Sequence, residues 1–238
     1  MARKRAVIII VEGVSDERAL STITKYAKEL FDVHIHFSNG DIFTRASNKG
    51  AKAVVGDEIQ KVMNETKYTK KDILAVIQIT DTDGTFIKDD SVIVDHTLDR
   101  KLLYLSDSIK VSEPHKALEI RRRNKNKAHS LKTMYSATTI KKDIPYYLLY
   151  FSCNLDHIIH DERNLEEEYK TSKARTFSGK FKNKPDDFLN FFKDNSFVVT
   201  GTLKETWDFI QDGHHSLGRY TNFHIIFDIL NTLTNKKE

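Results

Sequence analysis

The first part of the chain alternates between short apolar runs and amphipathic segments. Residues 6–11 and 73–81 are almost wholly apolar and rich in β-branched side chains, which is typical of parallel strands buried on both faces. Residues 33–37 alternate apolar and polar side chains, as a half-buried strand does. Apolar residues recur at helical spacing over 15–31 and 48–66. The order β, α, β, α, β with short connections predicts a parallel α/β sheet.

Beyond residue 84 the pattern is less regular. A basic stretch from about 115 to 142 combines charge with partial helical character. Residues 146–152 then form a strong strand signal, and apolar residues on one helical face follow it. From about residue 165 onward the periodicity is helical only.

These patterns predict an α/β sandwich in which a mainly parallel central sheet is flanked by helices, with a helical appendage at its C-terminal end. We expect residues 1–164 to form the core, with a basic insertion at about 106–142, and residues 165–238 to form the helical C-terminal region.

Composition narrows the class of protein. With 39% hydrophobic and 30% charged residues, the profile is that of an ordinary globular protein and does not indicate disorder. The apolar run at 6–11 is too short for a signal-peptide core or a membrane span. The single cysteine, Cys153, excludes an internal disulfide and a multi-cysteine zinc site. We therefore expect a cytoplasmic protein with no membrane partner.

Basic residues are concentrated in two clusters, although the net charge is only +4. Taken alone, either cluster is equally well explained as solvated surface. Beside an acidic site, however, such clusters favour a polyanionic partner such as nucleic acid. The candidate nucleic-acid-binding residues are Arg121, Arg122, Arg123, Lys125, Lys127, Lys173 and Arg175.

Carboxylates follow two of the predicted buried strands. Glu12 comes directly after the first, and Asp81 and Asp83 end the third, each time beside a glycine. Adjacent parallel strands lie roughly 5 Å apart, so these side chains would meet at the carboxyl edge of the sheet if the strands are neighbours. Asp81 and Asp83 would share a side if the backbone stays extended between them. Oxygen ligands of this kind suit Mg²⁺ or Mn²⁺ rather than zinc.

Two stretches resemble the signature motifs of the Toprim domain, which topoisomerases, bacterial primases, recombination mediators, OLD-family nucleases and small ribonucleases share. They are Val-Glu-Gly-Val-Ser-Asp-Glu at 11–17 and Asp-Thr-Asp-Gly at 81–84. The first motif has a glutamate, here Glu12, and an acidic residue four positions on, here Asp16. The second is an Asp-x-Asp. The short chain is most similar to the compact nuclease branch, the OLD-like and RloB-like stand-alone Toprim proteins.

The resemblance implies a Mg²⁺-dependent endonuclease, with Mn²⁺ as the alternative ion. Glu12, Asp81 and Asp83 would be catalytic and would hold the metal, and Asp16 and Asp156 would complete the ligand set. Asp156 lies in a segment that loosely resembles a late serine and acidic element of the family. Helix capping explains Asp16 and Asp156 equally well. The implied substrate is RNA such as tRNA, or DNA, and the implied role is that of an antiphage defence or toxin effector.

Two further expectations accompany this resemblance. A sensor or ATPase would be a separate protein, because no Gly-x-x-x-x-Gly-Lys-Ser/Thr motif occurs here, and the chain could also form a homo-oligomer. The competing hypothesis is a non-catalytic nucleic-acid-binding protein of the recombination-mediator type.

Overall fold

A five-stranded sheet forms the centre of the computed structural model, which describes residues 5–40, 42–43, 49–193 and 195–235. The strands of these residues are β1 (Ala6–Val11), β2 (His34–Asn39), β3 (Ile73–Asp81), β4 (Val92–Val94), β5 (Leu102–Tyr104), β6 (Ile109–Val111), β7 (Thr139–Ile140) and β8 (Ile144–Phe151). The central sheet has the order β2-β1-β3-β8-β7. Strands β2, β1, β3 and β8 are parallel, whereas β7 pairs antiparallel with β8. The sheet is therefore mixed, with a parallel middle.

Helices cover both faces of this sheet. They are α1 (Val14–Leu20), α2 (Thr22–Phe31), α3 (Ala51–Thr66), α4 (Pro114–Tyr135), α5 (Leu155–His160), α6 (Glu167–Lys180), α7 (Pro185–Lys193), α8 (Leu203–Ile210) and α9 (Ile225–Asn235). The single helix predicted over 15–31 is divided at Ser21, whose N–H and hydroxyl both bond to the carbonyl of Arg18. The helix predicted over 48–66 is observed from Ala51, and residues 44–48 lie outside the described residues.

Successive residues of β1 explain why its sequence is continuously apolar. Val7 and Ile9 pack into a cluster with α1, α2, α5, α6, α7 and α9, whereas Ile8 and Ile10 pack into a second cluster with α3, α4 and α8. Side chains alternate between the faces of a strand, so a strand with helices on both faces needs an apolar residue at every position. The α/β class predicted from the sequence is confirmed by this arrangement.

The C-terminal helices and the basic stretch both contribute to these clusters. Phe177, Phe188 and Phe223 lie in the same hydrophobic cluster as strand residues of β1, β3 and β8. Leu131 and Met134 of α4 are fully buried against the other face. The division at residue 165 and the insertion at 106–142 stay predictions about domains, but the packed cores run across both boundaries.

A second, smaller sheet lies between β3 and α4 in the chain. Its order is β4-β6-β5, with β4 and β6 parallel and β5 antiparallel to β6. Tyr104, the last residue of β5, points toward the functional site described below.

None of the helices in the described part of the chain combines the length and the apolar character that crossing a bilayer requires.

Candidate functional site

The carboxyl ends of β1, β3 and β8 meet at one edge of the central sheet, and Glu12 is anchored there. Strand β1 pairs directly with β3. The Oε1 atom of Glu12 accepts hydrogen bonds from the hydroxyl of Thr80, at 2.6 Å, and from the N–H of Asp81, at 3.0 Å. Glu12 is thus held across the gap between the two strands, next to Asp81.

A lysine that the sequence pattern placed among the surface cations lies inside this cluster. The side chain of Lys127, from α4, is 0% exposed, and its Nζ lies 3.2 Å from Oε1 of Glu12 and 2.5 Å from Oδ2 of Asp83. As placed here, Lys127 cannot contact a ligand in solvent and acts as a counter-ion for the two carboxylates. Its position was readable from the helical period, because it shares the buried face of α4 with Leu131 and Met134.

Asp83 reaches the site through a turn and not through an extended backbone. Its φ is 50°, in the left-handed region, so the condition of a continuous extended strand from Asp81 to Asp83 is not met. The carboxylate of Asp83 accepts a hydrogen bond from the Tyr104 hydroxyl at 3.4 Å, and Arg123 donates to the Asp83 carbonyl at 2.8 Å. Burial raises the pKa of Asp83, but Lys127 and then Arg123 outweigh it, so the pKa lies below its ordinary value.

Asp81 has the opposite electrostatic environment. Its Oδ1 accepts a hydrogen bond from the N–H of Leu155 at 3.1 Å. Burial raises the pKa of Asp81 well above its ordinary value, and the negative charges of Glu12, Asp16 and Asp83 raise it further. Lys127 offsets only part of this effect. Asp81 is therefore the point at which the negative charges of the site converge.

Asp16 and Asp156 also lie at this edge. Oδ2 of Asp16 accepts a hydrogen bond from the N–H of Gly13 at 2.9 Å, so Asp16 does cap α1. Burial raises the pKa of Asp16 to about 6, against the opposing effect of this hydrogen bond. Burial likewise raises the pKa of Asp156 to about 6, and the positive charge of Lys170 opposes the shift. Capping and a place in the acidic cluster are compatible roles for Asp16.

All five of these acidic residues line one cavity of about 840 Å³. Its carboxylates are Glu12, Asp16, Asp81, Asp83, Asp156, Glu166 and Glu167. Its cationic side chains are Arg100, Lys101, Arg123, Arg163 and Lys170. Seven carboxylates against five cations leave an excess of negative charge when all are ionised.

The remaining candidate nucleic-acid contacts are distributed elsewhere. Arg121 donates to two backbone carbonyls around the start of β4, at 2.9 Å each, and Lys173 forms an ion pair with Glu162. Arg122, Lys125 and Arg175 are exposed. Of the seven predicted residues, only Arg123 lines the cavity. Lys170 belongs to the second basic cluster but was not among the residues chosen from it, whereas Arg100, Lys101 and Arg163 belong to neither cluster. Only the fold brings these four cations to the cavity.

The donor set suits a hard divalent cation in its chemistry, but it is not arranged around one. Carboxylates surround Asp81, and the cavity lining carries excess negative charge when all its groups are ionised. Oxygen ligands of this kind are typical of Mg²⁺ and Mn²⁺ sites. Within the described residues, however, no group of three or more His, Cys, Asp or Glu side chains has the arrangement of a metal site. Lys127 already binds Glu12 and Asp83, so a metal would have to compete with an ammonium group.

The C-terminal segment that follows α8 fixes the two loops of the site. The carbonyl of Ser216 accepts hydrogen bonds from the N–H groups of Gly84 and Cys153, at 3.1 and 3.0 Å, and from the Thr82 hydroxyl at 2.7 Å. These donors lie just beyond the ends of β3 and β8. A segment outside the sequence motifs thus sets the position of the loop that carries Asp83 and of the loop that leads into α5, where Asp156 lies.

Replacing Gly84 by alanine should disturb this anchor. The φ of Gly84 is +67°, and a Cβ there would lie 2.6 Å from Cδ2 of Leu217 and 3.0 Å from Cδ1 of Ile109. Backbone strain and overpacking together predict a loss of about 1–3 kcal/mol in the free energy of unfolding. Chemical denaturation of Gly84→Ala would measure it. The matched control is Gly179→Ala in α6, where a Cβ meets nothing within 4 Å and stability should hold or rise. Equal stability of the two variants would contradict the anchoring role.

Comparison with family models, with curated proteins and with solved structures gave no match for this chain.

Proposed function

We propose that this chain is a divalent-metal-dependent nuclease with a Toprim-like core, which hydrolyses phosphodiester bonds in RNA such as tRNA, or in DNA. The observation that supports it best is the convergence of Glu12, Asp81 and Asp83 in one cavity, where the negative charges of Glu12 and Asp83 act on Asp81 and raise its pKa further. Cationic side chains line the same cavity and could bind a polyanion. The metal proposed is Mg²⁺, or Mn²⁺ in its place.

In this proposal Glu12, Asp81 and Asp83 hold the cation, and Asp16 and Asp156 complete its ligand set. When bound, such an ion neutralises a phosphate and lowers the pKa of water. The chain itself positions the donors: the Thr80 hydroxyl and the Asp81 N–H orient Glu12, and the Leu155 N–H orients Asp81. Glu12, fixed at the edge of the cavity, is the candidate general base or acid.

Arg123 and Tyr104 have a positioning role on the other side of Asp83. Arg123 donates to the Tyr104 hydroxyl at 3.0 Å and to the Asp83 carbonyl at 2.8 Å, and it also bonds to the side chain of Asn124. This network fixes the left-handed turn that directs the Asp83 carboxylate into the cavity. The charge on Lys127 and then that on Arg123 lower the pKa of Asp83 and keep it ionised, which a metal ligand requires.

A non-catalytic binding protein of the recombination-mediator type is the second candidate, and one observation favours it. The buried ammonium group of Lys127 binds both Glu12 and Asp83 and offsets part of their negative charge. In that case the acidic edge would be a structural ion-pair network, and the cationic side chains of the cavity would bind nucleic acid without hydrolysis.

A cleavage assay separates these candidates. The purified protein is incubated with labelled single-stranded and duplex RNA and DNA, in Mg²⁺, in Mn²⁺ or in EDTA. The nuclease should cut at least one substrate in the presence of metal and none in EDTA. Binding without cutting under every metal condition would favour the binding protein. Cutting that persists in EDTA would contradict the metal-dependent mechanism.

The biological role in the proposal is that of an antiphage defence or toxin effector in the cytoplasm, with a separate sensor or ATPase as regulator. It rests on the resemblance of residues 11–17 and 81–84 to Toprim motifs.

A further inference from the structure

Arg163 lines the cavity from a loop that is held in place on both sides. Its backbone carbonyl accepts a hydrogen bond from the Asn154 side chain at 2.9 Å. The next residue, Asn164, exchanges two hydrogen bonds with the backbone of Tyr104, both at 2.8 Å. The loop between α5 and α6 is thereby tied to β5 and to the end of β8. These hydrogen bonds fix the backbone from which the Arg163 side chain enters the cavity.

The guanidinium of Arg163 nevertheless has no acceptor in the part of the chain that the structure describes. Its Nε is buried and has no hydrogen-bond partner among the described residues, where it also forms no ion pair. A buried N–H of a charged group without an acceptor is costly. Arginine on a fixed backbone, with its donor fork unused, is suited to bind a phosphate group.

The position of Arg163 relates it to the acidic cluster. Burial raises the pKa of the Cys153 thiol; Asp83 and Asp81 raise it further, and Arg163 lowers it. The arginine and the acidic cluster therefore lie near the same residue, just beyond the end of β8. Arg100 and Lys101 line the same cavity, and Arg100 is paired with Glu166 at 3.3 Å. A phosphate bound by Arg163 would therefore lie in the same cavity as the carboxylates.

We infer that Arg163, supported by Arg100 and Lys101, forms a phosphate subsite beside the acidic cluster, and that its ligand is a single strand of nucleic acid. The inference rests on the proposed function for the identity of the strand. Arg163 binds one phosphate of the strand, and this contact does not require a metal at the acidic cluster.

The size of the cavity favours a single strand over a duplex, and its lining favours contacts with phosphates over stacking with bases. Its volume of about 840 Å³ lies within the roughly 300–1,000 Å³ of pockets that take small ligands, which is the size of one or two nucleotides. Among its described lining residues Tyr104 is the one aromatic side chain, and its hydroxyl is bonded to Arg123. Base stacking, which dominates many single-strand binding sites, has little surface here. Binding should therefore depend on phosphates and be tolerant of sequence.

Binding measured in EDTA tests the subsite without any cleavage. Fluorescent decamers of single-stranded DNA and RNA, and the matching duplexes, are titrated with wild type, Arg163→Gln and Arg163→Lys over a range of KCl concentrations. Wild type should prefer at least one single strand to its duplex. Arg163→Gln should weaken that binding several-fold and reduce the slope of log affinity against log salt by roughly 0.7, the loss of one phosphate contact on a single strand. Arg163→Lys should restore part of the affinity. The control Lys61→Gln removes an exposed cation of α3, a helix that contributes no residue to the cavity lining, and should bind like wild type.

Each result decides one point. The subsite would be overturned if the Arg163→Gln protein is folded, as judged by circular dichroism, and still binds with the affinity and the salt slope of wild type. Equal affinity for single strand and duplex would overturn the choice of ligand. The same conclusion would follow if adenosine monophosphate or inorganic phosphate bound as tightly as the decamer and displaced it. An Arg163 effect in a protein that never cuts would leave the subsite intact while the nuclease proposal fails. Cutting without any Arg163 effect would do the reverse.

Discussion

Asp81→Asn should abolish metal-dependent cutting while leaving the protein at least as stable as wild type at pH 7. The loss of activity should be about 10²–10³-fold or more, the range seen when one preorganised electrostatic group is removed from an active site. Stability should not fall, because Oδ1 of asparagine can still accept the hydrogen bond of the Leu155 N–H. The charge that is removed is one that burial and the neighbouring carboxylates disfavour.

The pH dependence gives the sign of the stability effect. The pKa of Asp81 is raised in the folded protein, so the folded state binds the Asp81 proton more tightly than the unfolded state does. Stability is then lost as pH rises from the ordinary value of 3.8 through the raised folded value. An asparagine side chain does not titrate, so the melting temperature of the Asp81→Asn variant should equal wild type near pH 3 and match or exceed it at pH 7.

Thermal melts between pH 3 and 8 and the cleavage assay check both parts of this prediction. Asp208→Asn, on the exposed side of α8, is the matched control and should cut like wild type. A stable Asp81→Asn protein that still cuts would remove Asp81 from the mechanism. A large loss of stability would show that the Asp81 charge supports the fold, contrary to its raised pKa.

The sequence predicts the strands that carry this site, because local patterns of apolar residues determine them. Continuous apolar runs at β1 and β3 indicate strands covered on both faces, and Glu12 and Asp81 follow from where those runs stop. The hydrogen bond from the Asp81 N–H to Glu12 depends only on β1 and β3 being neighbours. A pattern of alternating strands and helices favours such a pairing in a parallel sheet.

Local patterns do not predict the contacts that depend on long-range packing. Lys127 lies within a run of basic residues, and its position on the buried face of α4 is what distinguishes it from its neighbours. Ser216 carries no local signal, because its carbonyl acts on the distant Thr82. The loop that carries Arg163 is likewise held by a distant contact, between its next residue, Asn164, and the backbone of Tyr104. Asp83 reaches the cavity through a left-handed turn whose geometry depends on Arg123 and on the Ser216 carbonyl. The strand ends were thus predictable from local patterns, whereas the distant contacts that hold the loops of Asp83 and Arg163 were not.

Lys127→Met should strongly destabilise the metal-free protein and make it more responsive to divalent cations. Removal of the ammonium leaves Glu12 and Asp83, which are 18% and 21% exposed, without their counter-ion. Breaking a buried ion pair in this way costs about 3–5 kcal/mol. The loss should be larger at pH 8 than at pH 5. With Lys127 present the pKa of Asp83 is lowered, so its contribution to stability persists above the ordinary value of 3.8. Without Lys127, burial favours the protonated form of Asp83 in the metal-free protein, and protonation relieves more of the penalty at pH 5 than at pH 8.

The response to Mg²⁺ then separates a metal site from a structural ion-pair network. If a metal and Lys127 compete for the same two carboxylates, Mg²⁺ should raise the melting temperature of Lys127→Met more than that of wild type. A concentration of one hundred times the dissociation constant would restore about 2.7 kcal/mol. Lys132→Met, which removes an exposed lysine from the same helix, should leave both stability and the Mg²⁺ response unchanged.

If neither wild type nor Lys127→Met responds to Mg²⁺ or Mn²⁺, the carboxylates hold no cation other than lysine, and the binding-protein hypothesis is favoured. A larger shift in Lys127→Met would instead identify Lys127 as the ion that occupies the acidic cluster until a divalent metal displaces it.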